Sequence, residues 1–98
     1  MTMFMAHMTH QVESCYTVNE ENKKKLKDLS SKREEIAKKH EIKVISAVYP
    51  PLEHEIFYVV EAPSFKNVER YLKEVGFAFY NKIKIKHVEP MEEALGRL

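Results

Sequence analysis

Two hydrophobic periods alternate along the chain. Residues 2–10 are apolar in both alternating sets, Met3/Met5 and Phe4/Ala6/Met8, as a central strand covered on both faces requires. Thr17-Val18-Asn19-Glu20 has capping-box spacing, and Leu26, Leu29, Ile36 and Ala37 then make one apolar stripe on a helix ending near His40. Glu34/Lys38 and Glu35/Lys39 sit at i,i+4 on its wet side. Ile42 to Tyr49 is a β-branched second strand stopped by Pro50-Pro51, and Glu55 to Ala62 is a third, with a hairpin between them. Ser64 caps a second helix whose buried stripe is Phe65, Val68, Leu72 and Val75 and whose stop is Gly76. Residues 79–88 set Ile83/Ile85/His87 against Lys82/Lys84/Lys86, the one-sided pattern of an edge strand guarded by lysines. A short helix over about residues 90–96 closes the chain.

This order, βαββαβ, predicts one α+β domain over residues 1–98 with ferredoxin-like topology: a four-stranded antiparallel sheet, spatial order 4-1-3-2, with two helices on one face. That order puts the first and third strands in the centre, where their doubly apolar patterns belong. With Lys43 toward solvent, Ile42, Val44 and Val48 face the helices, while Ile45, Ala47 and Tyr49 join the open face. So apolar an open face predicts a homodimer that packs sheet against sheet around a pocket.

Composition narrows the partners. Lysine and arginine number 16 against 15 acidic residues, too even a balance for a field that would select nucleic acid or an anionic membrane. Gly76-Phe77-Ala78-Phe79-Tyr80 has an aromatic pattern like part of an RNA-recognition motif, but it leads into the fourth strand and not the third, and it reads as a helix stop before an edge strand. No apolar run approaches the roughly 18 residues of a membrane span, and the apolar start at Met1 lacks a basic leader, so a cytoplasmic protein is expected. The single cysteine, Cys15, fits a reducing compartment, and the two glycines exclude a glycine-rich phosphate loop.

Ala6-His7-Met8-Thr9-His10 followed by Glu13 and Cys15, with His54-Glu55-Ile56-Phe57-Tyr58-Val59-Val60-Glu61-Ala62 farther on, resembles small uncharacterised prokaryotic proteins of the dimeric α+β barrel superfamily. The shared features are a Thr-His-x-x-Glu-x-Cys motif after the first strand and a His-x-x-Phe/Tyr-x-Val-x-Glu-Ala third strand. Val12 stands where that pattern often has proline. The resemblance implies the fold and dimerisation. The superfamily spans cofactor-free monooxygenases, isomerases, haem enzymes and ligand sensors, so it implies no single chemistry.

In this topology the loop after the first strand and the hairpin before the third lie at one end of the sheet, which brings His10, Glu13, Cys15 and His54 within reach of each other. Imidazole, carboxylate and thiolate together form a ligand set for a transition-metal ion such as zinc, although the spacing is that of no standard zinc motif. The alternative is that these are ordinary loop residues and Cys15 a small buried hydrophobe. Cys15 also precedes the first helix, where the dipole favours a thiolate, so a Cys/His nucleophile is a further reading. A second candidate space is apolar, lined by Phe4, His7, Tyr49, Phe57 and Tyr58, and would suit a cofactor-free oxygenase or isomerase; the same residues also suit an ordinary dimer core. The leading expectation is a homodimer that binds a small molecule or metal ion, with a purely structural module as the third possibility.

Overall fold

The computed structural model describes all 98 residues. Strand β1 (Thr2–Thr9) is followed by a 3-10 turn (Val12–Ser14), helices α1 (Glu20–Ser30) and α2 (Arg33–Lys39), and strands β2 (Lys43–Val48) and β3 (Glu55–Ala62). Helix α3 (Phe65–Glu74), a second 3-10 turn (Phe77–Phe79), strand β4 (Lys82–His87) and helix α4 (Met91–Gly96) complete it. The four strands form one antiparallel sheet in the order β2-β3-β1-β4, the expected order read from the other edge. No helix is long and apolar enough to cross a membrane.

The helix-covered face carries the core. Phe4, Ala6 and Met8 of β1 and Tyr58, Val60 and Ala62 of β3 pack there with Ile36, Ile42, Val68, Tyr71, Leu72, Val75, Phe77 and Tyr80. Each large side chain fully buried in it contributes about 1.5–3 kcal/mol of transfer free energy. On the opposite face Met3, Met5, His7, Phe57 and Val59 are only half-buried, and no element of the chain covers them.

Three local features depart from the sequence pattern, each for a physical reason. The expected long first helix breaks at Ser30-Ser31, whose hydroxyls donate to the Lys27 and Asp28 carbonyls at 3.1 and 2.7 Å and compete for helix acceptors. Its cap is Asn19, whose side chain accepts from Asn22 N at 3.0 Å, and not Thr17, whose hydroxyl turns toward Cys15. In α3, Phe65 is exposed and Tyr71 buried, so the buried stripe is Val68, Tyr71, Leu72 and Val75.

The largest correction lies in β2. Val44 pairs with Val60, but Ser46 pairs with Val59 because a bulge leaves Ile45 as an extra residue. A one-residue slip exchanges faces, so Ala47 pairs with Tyr58 on the helix side and Val48 with Phe57 on the open side, the reverse of simple alternation. Tyr49 thereby also turns to the helix side of the sheet, against the expectation that it would join the open face.

Helix α3 joins α2 through Glu74, which pairs with Lys39 Nζ at 2.6 Å and with the His40 imidazole. The lysine first, then the histidine, hold the Glu74 carboxyl below its ordinary value. Beyond the end of α3, Gly76 adopts φ +101°, and a Cβ placed there would stand 2.5 Å from Leu29 Cδ1 and 3.0 Å from Phe79 Cε1. Gly76→Ala is therefore expected to destabilise the fold by about 1–2 kcal/mol, from the left-handed backbone alone. Urea unfolding checks it, and an unchanged midpoint would contradict the assigned strain.

Candidate metal centre and its cavity

The register of the sheet brings three chain segments to one point. Thr9, the last residue of β1, pairs with Glu55 at the start of β3 and with Lys82 at the start of β4. The next residue outward on each segment is His10, His54 and Asn81. His10 N donates to the His54 carbonyl at 3.2 Å, and the two imidazoles meet edge to face with centroids 5.4 Å apart.

Asn81 sets the state of His10. Its amide nitrogen donates to the Phe77 carbonyl at 3.0 Å, which turns Oδ1 toward His10 Nδ1 at 2.8 Å. A carbonyl oxygen only accepts, so in the neutral imidazole this bond favours the tautomer with the proton on Nδ1 and the lone pair on Nε2. That Nε2 is fully buried and no protein group donates to it.

Cys15 completes the cluster from the loop between the first 3-10 turn and α1. Its amide donates to Val12 O at 3.1 Å, and its carbonyl accepts from Val18 N and Asn19 N at 3.0 and 2.8 Å. Two asparagines at the start of α1 brace the same loop, Asn19 Nδ2 donating to Glu13 O at 3.1 Å and Asn22 Nδ2 to Ser14 O at 2.8 Å. Cys15 is buried, and its Sγ lies 3.0 Å from the Thr17 hydroxyl. One ligand atom each from His10, Cys15 and His54 lie within 4.8 Å of one another. Bonds of about 2.0–2.3 Å in a tetrahedral zinc site put ligand atoms roughly 3.3–3.8 Å apart, so these side chains would close by about 1 Å on an ion.

Glu13 is exposed and lies outside the cluster. His7 is on the open face, its Nε2 3.0 Å from Glu55 Oε1 and its ring stacked on Phe57 at 4.8 Å. Phe4 is in the core, while Tyr49 and Tyr58 line a cavity on the helix side. The five residues expected around one apolar space thus lie on two faces of the sheet.

That cavity, of about 500 Å³, has His10, Cys15 and His54 in its lining and extends between α1 and the β2–β3 hairpin. It exists because no residue of α1 is buried, Leu26 and Leu29 being only partly covered. No family model and no curated protein matches this chain.

From sequence, Tyr80 stood out only as part of the aromatic run after Gly76 and Asn81 did not stand out at all, and both matter here. The Tyr80 ring lies 5.3 Å from that of His10 and lines the cavity. Burial pushes its phenol up to about 12, so it stays protonated at neutral pH, with no protein partner for its hydroxyl. A signal for Asn81 existed, since antiparallel pairing of the first and fourth strands puts the residue before the fourth beside the end of the first.

The bond to Asn81 makes the His10 tautomer a direct readout. In ¹⁵N NMR of metal-free protein at neutral pH, His10 is expected as the Nδ1–H form, with Asn81→Ala releasing it toward a mixture. A wild-type ring protonated mainly at Nε2 would remove the lone pair from the cluster.

Proposed function

We propose that this protein is a metal-binding member of the ferredoxin-like, dimeric α+β barrel type. His10 Nε2, Cys15 Sγ and His54 hold a zinc-class ion beside the cavity. The observation that carries this reading is the His10/Cys15/His54 cluster, one of whose members, His10, has a buried Nε2 with no hydrogen-bond partner in the chain while its Nδ1 is taken by Asn81. An orphaned buried polar atom costs about 1–3 kcal/mol, which a bound ion would relieve. The Asn81 amide behind the imidazole is the outer partner that a metal-ligating histidine commonly has. Imidazole and thiolate suit zinc and its neighbours better than calcium or magnesium. Three protein ligands leave a tetrahedral ion one position for water or a small molecule.

Elemental analysis of tag-free protein purified without chelator, followed by zinc titration, tests the reading. One ion per chain is expected, lost in His10→Ala/Cys15→Ser and in His54→Ala, the half-exposed second variant guarding against a folding defect. At free zinc one hundredfold above Kd, linkage should raise Tm by more than about 10 °C. Absence of metal from wild type after titration, or equal metal in the variants, would overturn it.

The homodimer forms part of the same proposal. Met3, Met5, Phe57 and Val59 form an uncovered apolar strip at the centre of the open face, continued by Val48, which is 57% exposed. Isolated chains rarely leave a sheet face so apolar in water, and a second copy packed face to face would cover it. Light scattering should give twice the chain mass, and Val59→Lys, which puts an ammonium in the middle of the strip, should give a monomer that keeps its far-UV spectrum. A wild-type monomer at high micromolar concentration would refute this arrangement.

A further inference from the structure

The cavity holds more cationic charge than the metal site requires. Lys23 and Lys27 at i,i+4 on α1, and Arg33 at the start of α2, all line it. None of the three takes part in an ion pair within the chain. The two carboxylates in the lining, Glu53 and Glu55, pair with none of these three cations. Glu55 is held low by a hydrogen bond from Glu53 and then by His7, and the same contact raises Glu53.

Arg33 is the best placed of the three cations. Its Nη1 donates to the hydroxyl of buried Tyr58 at 3.2 Å, which ties the guanidinium to the cavity wall and leaves the rest of its donor fork unspent. Burial raises the Tyr58 phenol, so it remains a neutral acceptor for that bond at neutral pH. The lining also includes the apolar side chains of Leu26, Ala47, Ile56, Val75 and Phe77. A volume of about 500 Å³ suits a small organic molecule.

We infer that the cavity binds a small organic carboxylate with an apolar body, its carboxylate on Arg33 and its body against Tyr58, Ile56 and Phe77. The guanidinium fork matches a carboxylate with two parallel hydrogen bonds, and Lys23 and Lys27 add attraction at the rim. A phosphate ester fits less well, because neither glycine lines the cavity and a glycine-rich phosphate loop is therefore absent from it. The inference rests on the metal reading for the role of the ligand, whose other end would meet the ion. The carboxylate subsite itself is built from residues outside the metal set.

Isothermal titration of the full chain with phenylacetate, phenylacetamide and phenyl phosphate tests it, on zinc-loaded and on chelator-treated protein. Phenylacetate should bind at least about tenfold more tightly than the neutral amide, as a charge-assisted hydrogen bond predicts. Arg33→Gln, at an exposed position, should reduce phenylacetate to the level of the amide without changing zinc content. The preference should persist in chelator-treated protein, so a failed metal site and a failed carboxylate subsite give different results. Equal binding of acid and amide, tighter binding of phenyl phosphate, no binding of phenylacetate or an indifferent Arg33→Gln would each overturn the inference.

Discussion

Antiparallel pairing of β1 with a neighbour on each side is the constraint on which the rest of the molecule depends. Because β3 and β4 both run against β1, the end of one segment and the beginnings of two others arrive at the same edge of the sheet. The pairs Thr9↔Glu55 and Thr9↔Lys82 then leave His10, His54 and Asn81 as immediate neighbours although they are distant in sequence. The ladder that holds the fold together thus also sets the spacing of the cluster. Rigid strands position such groups better than loops do, and His10 and His54 each stand one residue beyond a strand end, whereas Cys15 reaches the cluster from a loop. That loop is held by its own turn hydrogen bonds and by Asn19 and Asn22.

The region around the cluster is less economically packed than the core. Below the sheet, α3 buries Val68, Tyr71, Leu72 and Val75, whereas α1 buries nothing fully and leaves a cavity beside β2. Three buried polar atoms, His10 Nε2, Tyr71 Oη and Tyr80 Oη, have no protein partner, and those of His10 and Tyr80 belong to residues lining this cavity. Native interiors leave few such atoms unpaired, and sites of chemistry are a recurrent reason for the exceptions. Packing that is incomplete at α1 and unsatisfied at His10 is a cost to stability in the same place where a ligand would find room and a lone pair.

Much of this architecture was legible in the residues. The doubly apolar patterns of β1 and β3 require central strands, the lysine alternation of β4 requires an edge, and Gly76 marks the end of α3. Strand order follows from these, and with it the meeting of His10 and His54 at one end of the sheet. Glu13 could not be separated from that group by position alone, since a loop residue three places from His10 can turn either way. The bulge at Ile45 was also hidden: a β-branched run with mixed faces carries no mark of an extra residue, yet that residue decides whether Tyr49 joins the open face or the cavity. The break at Ser30-Ser31 has a local cause in the two hydroxyls, but helical periodicity runs through it.

What the sequence determined by itself is the set of strands, their order across the sheet and the end of it at which His10 and His54 meet. Hydrophobic period and strand adjacency are short-range or combinatorial properties that the residues carry directly. Only the tertiary structure decided which atoms of that group are left without a hydrogen-bond partner. The lone pair on His10 Nε2 depends on Asn81 Oδ1, whose direction depends on the Phe77 carbonyl, and that chain of hydrogen bonds crosses between elements. The cationic lining from α1 and α2 opposite Tyr58 likewise arises from how those helices sit over a bulged strand. Directional bonds between distant segments are set by packing, and a linear pattern of residues contains the partners without their angles.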